Sequence, residues 1–275
     1  MARKKPKLGQ NFLRDARAAE RIVHALGDLA GRTVVEIGPG HGAITAMLAS
    51  KANHVIAIEL DRELAAELRQ RFSAERVTVV EQDVLQFDFA GASEKAGMRL
   101  RVAGNLPYYI TSPILLHLAA SQAALDLAVL MVQREVAERV TARSGMREYG
   151  VLSVTVKAYG PVEQLFTLPP SAFSPPPEVY SAVFRWRFAP RFVELGVEEQ
   201  PFLRFVRLAF AQKRKTLANN LRAAGISEDA GIAAMAAAGI DRQARAEALP
   251  IEMLAVLWRR LVSGGALPGM ERVSE

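Results

Sequence analysis

The chain has 275 residues, half of them hydrophobic, with a formal net charge of +6, no cysteine and only four histidines. That length supports one large domain with a smaller companion. The missing cysteines exclude disulfides, thiolate metal sites and a cysteine nucleophile, and fit a reducing, cytoplasmic setting. His24, His41, His54 and His117 show no ligand spacing, so no metal is expected. No apolar run is long enough for a bilayer, and the start (Met1 to Lys7) has no apolar stretch behind it, so neither a membrane partner nor a secretory signal is expected. The positive charge suits a polyanionic partner.

Thr33 to Ile37 is an apolar run that enters a glycine turn, and it predicts a buried strand. Gly42 to Lys51 predicts a helix, and His54 to Ile58 a second strand ending at Glu59. Asp61 is placed to cap a helix over Arg62 to Phe72. Further strands are predicted over Arg76 to Val80, ending near Asp83, over Leu100 to Ala103, ending at Gly104-Asn105, and over Leu125 to Val132. This alternation predicts a parallel α/β sheet whose ligands bind beyond the carboxyl ends of the strands. Glu59, Asp83 and Asn105 all fall at those ends.

Tyr149 to Gly160 fits either a strand or a helical face, while Val162 to Leu168 and Tyr180 to Phe188 predict a strand pair around a proline-rich loop. Beyond Ala189-Pro190 the chain becomes rich in Ala, Leu and Arg. Phe202, Phe205, Val206, Ala209 and Phe210 repeat at helical spacing, and Ala230 to Ala238 and Ile251 to Leu261 predict further helices. The expected division is residues 1–189 for a catalytic domain and 190–275 for a small all-helical, RNA-contacting domain, with a frayed end from Ser263.

Gly38-Pro39-Gly40-His41-Gly42-Ala43 satisfies both the dinucleotide fingerprint and the glycine loop of S-adenosylmethionine enzymes. In both, the backbone must approach a nucleoside closely, and an acid about twenty residues on holds the ribose. Glu59 supplies that acid. Glu36, beside the loop, would repel a pyrophosphate but tolerate a cationic methyl donor. Asp83 is placed to accept from an adenine amino group.

Asn105-Leu106-Pro107-Tyr108 then suits a methyl acceptor. An exocyclic amino nitrogen is a weak nucleophile because its lone pair is delocalised into the ring. Two oxygens that accept both N–H bonds, the Asn105 side chain and the Leu106 carbonyl, localise that pair. Pro107 stiffens the turn, and Tyr108 is the expected stacking surface. Phe173, in Ser171 to Pro177, is the candidate for the opposite face of the base. Lys213, Arg214, Lys215 and Arg222, with Gln212, Asn219 and Asn220, read as a basic helix with Leu217 and Leu221 on its inner side. Arg3, Lys4, Lys5 and Lys7 add a basic arm.

Ordered motifs, from Leu8-Gly9-Gln10-Asn11-Phe12-Leu13 through Phe210 to Leu217, carry a resemblance to the bacterial small-subunit ribosomal RNA adenine N6,N6-dimethyltransferases, the kasugamycin-sensitivity family. The resemblance implies a Rossmann-like class I S-adenosylmethionine-dependent methyltransferase sheet. It also implies dimethylation of two adjacent adenosines in the 3′-terminal hairpin of small-subunit rRNA within the immature 30S subunit, by a monomer. It adds Gln10, Asn11 and Leu13 to Gly38, Gly40, Glu59, Asp83 and Asn105 as cofactor contacts, makes Phe173 the base-facing aromatic, and gives Tyr149 to Gly160 as helical. Tyr109 stands where the family usually has Asn. The competing readings are a large-subunit rRNA adenine methylase of the macrolide-resistance type, a DNA adenine methyltransferase, and an assembly factor that has lost turnover.

Overall fold

The structure is a computed structural model that describes residues 11–266. It divides into two compact units: residues 11–137 with 161–188, and residues 138–160 with 189–266. The helical unit therefore takes in residues 138–160, which lie inside the span expected for the sheet domain.

The first unit runs β1 (Phe12–Leu13), α1 (Ala16–Ala25), β2 (Thr33–Ile37), α2 (Thr45–Lys51), β3 (His54–Glu59), α3 (Arg62–Arg71) and β4 (Val77–Glu81). It continues through α4 (Phe89–Ala96), β5 (Leu100–Asn105), α5 (Thr111–Ala120), β6 (Leu125–Gln133) and the start of α6 (Arg134–Thr141). After α7 (Val151–Ala158), which belongs to the other unit, it resumes with β7 (Val162–Leu168), β8 (Phe173–Ser174) and β9 (Ser181–Arg187). Seven strands form one sheet in the order β4-β3-β2-β5-β6-β9-β7. The first five are parallel, and β9 runs antiparallel to both its neighbours, β6 and β7, so β7 shares the direction of the first five. All five residues of β2 are buried, as expected for a central strand covered on both faces. The strand order reverses beside β2, so the β2 and β5 tips flank a topological switch point.

Local chemistry sets the boundaries. Asp61 caps α3 by accepting from the Glu63 and Leu64 amides, as its sequence position predicts. The helix expected from Gly42 begins only at Thr45, because Gly38, Gly40 and Gly42 all have positive φ and form a loop. β1 and β8 form a separate two-stranded antiparallel pair, with Leu13 opposite Phe173. Among the described residues no helix is long and apolar enough to cross a membrane.

In the second unit α7 settles the ambiguous segment as a helix. Ser153 Oγ accepts from the Gly150 amide at 3.1 Å at its start. The rest is α8 (Phe192–Leu195), α9 (Glu199–Ala209), α10 (Leu217–Ala223), α11 (Glu228–Ala237) and α12 (Ile251–Ser263). Phe202, Phe205, Val206 and Ala209 are buried on one face of α9, and the Phe205 and Trp258 rings meet at 5.4 Å.

At Gly104, near the tip of β5, a Cβ would lie 2.8 Å from the Ile37 carbonyl oxygen of neighbouring β2. Backbone cannot rotate away as a side chain would. Gly104→Ala is expected to lower unfolding free energy by about 1–3 kcal/mol, the usual cost of overpacking, measured by urea denaturation.

Candidate active site

One cleft gathers the tips of β2, β3, β4 and β5. It holds about 760 Å³ of space between the walls, its open mouth included. Asn11, Gly38, Gly40, Glu59, Asp83, Asn105, Leu106 and Tyr108 all line it. Residues far apart in sequence meet because parallel strands in register end at one edge. Ile37 lies opposite both Ile58 and Gly104, and the Gly38 amide extends the ladder by donating to the Ile58 carbonyl at 3.0 Å.

The glycine loop is held from two sides. The Gly40 amide donates to Glu59 Oε2 at 3.1 Å, while the Asp61 amide donates to Glu59 Oε1 at 3.0 Å. Each carboxylate oxygen keeps a further lone pair, so Glu59 remains able to accept from a diol. From outside, Arg71 Nη1 donates to the His41 carbonyl at 2.6 Å, and His41 Nδ1 pairs with Glu67 at 2.9 Å. A Cβ on Gly40 would meet the Phe12 ring at 2.7 Å, and one on Gly38 would meet the Asn105 carbonyl at 3.4 Å. Both glycines also have positive φ, so they shape a cradle that side chains would fill.

Two carboxyls are buried beneath this loop. Glu36 is 1% exposed, and burial pushes its carboxyl up to about 7, with the like charge of Glu59 adding to the rise and Thr45 opposing it. Its Oε2 has no hydrogen-bond partner. Burial also raises Glu59, against the amides of Asp61, Gly40 and Leu60, which favour its charged form. Asp83 does two things: its Oδ1 caps the short turn Val84–Gln86 by accepting from the Leu85 amide at 2.9 Å, and it lines the cleft.

Asn105 sits at the end of β5 with its amide group tethered. Nδ2 donates to the Asn11 carbonyl at 2.8 Å, which fixes which end of the side chain is already used. The Leu106 amide donates to the Met131 carbonyl at 2.9 Å, locking the turn to β6. Pro107 has φ −59°, and the Tyr108 hydroxyl meets Ser181 Oγ at 2.7 Å. Burial raises the Tyr108 phenol.

Several expected residues stand elsewhere. Phe173 is 3% exposed, packs in the core cluster with Leu13 and Leu168, and does not line the cleft. The pairing of β8 with β1 turns its ring inward. Leu13 is likewise a buried core residue outside the cleft wall. Gln10 and the basic arm of Arg3, Lys4, Lys5 and Lys7 lie outside the described residues. The cleft also uses Phe12, Ile37, Ile58, Leu60, Gln82, Val84, Tyr109 and Ile110. Their signal was adjacency to the motif residues.

In the helical unit, Lys213, Arg214 and Lys215 are exposed but occupy a turn, not the expected helix, which begins at Leu217 behind the Thr216 cap. Asn220 is buried: its Nδ2 donates to the Ala209 carbonyl at 2.8 Å, and its Oδ1 accepts from the Gln212 amide. It pins the turn and does not face solvent. Lys213 Nζ donates to the Arg147 carbonyl at 3.1 Å, and Arg222 pairs with Glu228 at 3.5 Å.

A glycine cradle, an acid after the second parallel strand and an Asn-Leu-Pro-Tyr turn at a strand tip define a methyltransferase of the α/β class. The model of the family "Ribosomal RNA adenine dimethylase" matches residues 1–261. The ribosomal RNA small subunit methyltransferase A of Acidobacterium capsulatum is 59% identical over 94% of this chain and 91% of its own length. That of Koribacter versatilis is 49% identical over 95% of each. Among solved structures, a dimethyladenosine transferase from Plasmodium falciparum has a TM-score of 0.77 at 23% identity, over 93% of this chain and 98% of its own, a likeness of fold. The 23S rRNA methyltransferase ErmE has 0.72 at 26%, over 92% and 100%. The chain belongs to the ribosomal RNA adenine dimethylase family. It is an rRNA adenine methyltransferase.

The raised Glu36 carboxyl has a consequence for stability. Its folded pKa, about 7, lies above its ordinary value of 4.5. The unfolded chain therefore gives up this proton first, and stability falls as pH rises from about 4.5 to 7, by at most ~3 kcal/mol. Glu36→Gln is expected to remove that fall and leave the protein more stable than wild type at pH 8. Thermal unfolding from pH 5 to 8 checks this.

Proposed function

We propose that the protein uses S-adenosylmethionine to dimethylate the N6 amino groups of two adjacent adenosines in the 3′-terminal hairpin of small-subunit rRNA, acting on the immature small subunit. The observation that carries this reading is the tethered Asn105 amide. With Nδ2 committed to Asn11, its Oδ1 is the end left for a substrate amino group. The Leu106 carbonyl is the second acceptor. Together they would take both N–H bonds of the adenine amino group and leave its lone pair aimed at the incoming carbon.

The cradle fits the methyl donor. Gly38 and Gly40 leave room that a Cβ would take, Glu59 has lone pairs for the ribose hydroxyls, and Asp83 would accept from the adenine amino group. The buried, unpartnered Oε2 of Glu36 suits a ligand of net positive charge more than a pyrophosphate. When bound, S-adenosylmethionine supplies an electrophilic methyl whose sulfonium is its own leaving group, so the protein's task is alignment more than acid–base work. Tyr108, half-buried and fixed through Ser181, would stack on the flipped adenine. Phe173 is not assigned this role, because its ring is in the core. The exposed Lys213, Arg214 and Lys215 would contact phosphates, with Arg222 contributing less because Glu228 shares its charge.

Incubation of the protein with labelled donor and undermethylated small subunits, followed by mapping of the labelled nucleotides, tests the assignment. Label on the adjacent adenosines supports it. Label on large-subunit RNA instead would favour the reading that the likeness to ErmE raises.

Asn105→Ala is expected to cut methyl transfer by at least ~100-fold while RNA affinity survives, as read by single-turnover kinetics beside a filter-binding assay. Neutralising Lys213, Arg214 and Lys215 together is expected to reduce the slope of log K against log salt by about 2, three phosphate contacts at ~0.7–0.9 each. An unaltered slope would move the RNA surface elsewhere.

A further inference from the structure

Tyr109 and Tyr180 are the two exposed aromatic residues among the described residues, at 60% and 47%. Every other Phe, Tyr and Trp described is buried or half-buried. The two flank a single hydrogen bond. Tyr109 follows Tyr108, Tyr180 precedes Ser181, and Tyr108 and Ser181 join through their hydroxyls at 2.7 Å. The end of β5 and the start of β9 lie at the same edge of the sheet, beside Met131 and Gln133 of β6, so both exposed residues stand at that edge. Tyr109 lines the mouth of the cleft on the turn Tyr108–Ile110. Tyr180 sits just before β9, its carbonyl accepting from the Arg134 amide at 2.9 Å and its ring facing the Arg134 guanidinium at 5.4 Å. Val179, 44% exposed, extends the apolar surface.

We propose that Tyr109 and Tyr180, with Arg134, form a stacking surface at the rim of the cleft for the unpaired nucleotides that flank the target adenosine. The inference rests on the reading of the cleft as an adenosine site, and adds what holds the strand on either side of it. A base that swings into the cleft leaves its neighbours unstacked. Unstacked bases in single-stranded RNA are taken up by aromatic faces and by arginine planes. Two exposed rings at the cleft, one of them faced by a guanidinium, meet that need, and they do so without reading sequence, because every base has a π-face. Continuity with the cleft makes the flanking nucleotides the occupant.

The test uses the full-length protein and a hairpin RNA with 2-aminopurine at the position next to the methylated adenosine. Wild type is expected to quench the fluorophore on binding. Tyr109→Ala and Tyr180→Ala are each expected to weaken hairpin binding by about tenfold, in the range that loss of a stacking ring produces, and to abolish part of the quench. Tyr109→Phe and Tyr180→Phe are expected to restore both, which a merely structural hydroxyl would not do. Thermal midpoints within error of wild type confirm that the alanine variants are folded. Wild-type affinity and full quenching in both alanine variants would overturn the proposal. So would a defect seen only on intact subunits with normal binding of the bare hairpin, since that result would assign the rim to a protein contact. If wild type itself transfers no methyl to the hairpin or to small subunits, it is the adenosine reading that fails, and the two failures are distinct.

Discussion

The site depends on the parallel pairing of β2 between β3 and β5. Because Ile37 is in register with Ile58 on one side and Gly104 on the other, the three tips end at one level, and the next residue of each chain is delivered to a common edge. Gly104 is the tightest point of this pairing, with no room for a side chain against the Ile37 carbonyl. A slip of one residue would turn Glu59 and Asn105 to the wrong faces and dissolve the cleft.

Around that edge the protein accepts an electrostatic cost. Two carboxyls, Glu36 and Glu59, are buried near each other, and each is harder to ionise because of its burial. Glu59 offsets the cost by taking two backbone amides, and that same bonding fixes the glycine loop. Glu36 leaves one oxygen without a partner. Burial and unmet polarity of this sort, concentrated at a strand tip rather than spread over the sheet, mark a functional site.

The aromatic residues divide by what anchors them. Phe173 pairs through its backbone with Leu13 and turns its ring into the core, so it serves to close β1 over the unit. Tyr108 is held at both ends, by its turn and by Ser181. Tyr109 and Tyr180 keep their rings in solvent. A single hydroxyl–hydroxyl contact thus separates a fixed aromatic from two exposed ones.

Much of the fold was legible in the residues themselves. Apolar runs bounded by glycine located the parallel strands, and the Asp61 cap followed from local chemistry, because burial period and capping are short-range effects. The strand tips marked Glu59, Asp83 and Asn105 for the same reason. Local pattern could not say which side of a backbone a ring would take, so Phe173 read as a base-facing residue, and the family resemblance supplied Leu13, although both are buried where β1 pairs with β8. Nor could it show that Lys213 to Lys215 form a turn, which depends on Asn220 bonding back to Ala209 and Gln212 across eleven and eight residues. The tether from Asn105 to Asn11 spans 94 positions and was likewise settled only by folding. Sequence determined the elements and the chemistry at their ends; long-range hydrogen bonds and packing decided which side chains face the cleft, because those contacts join segments whose spacing carries no local trace.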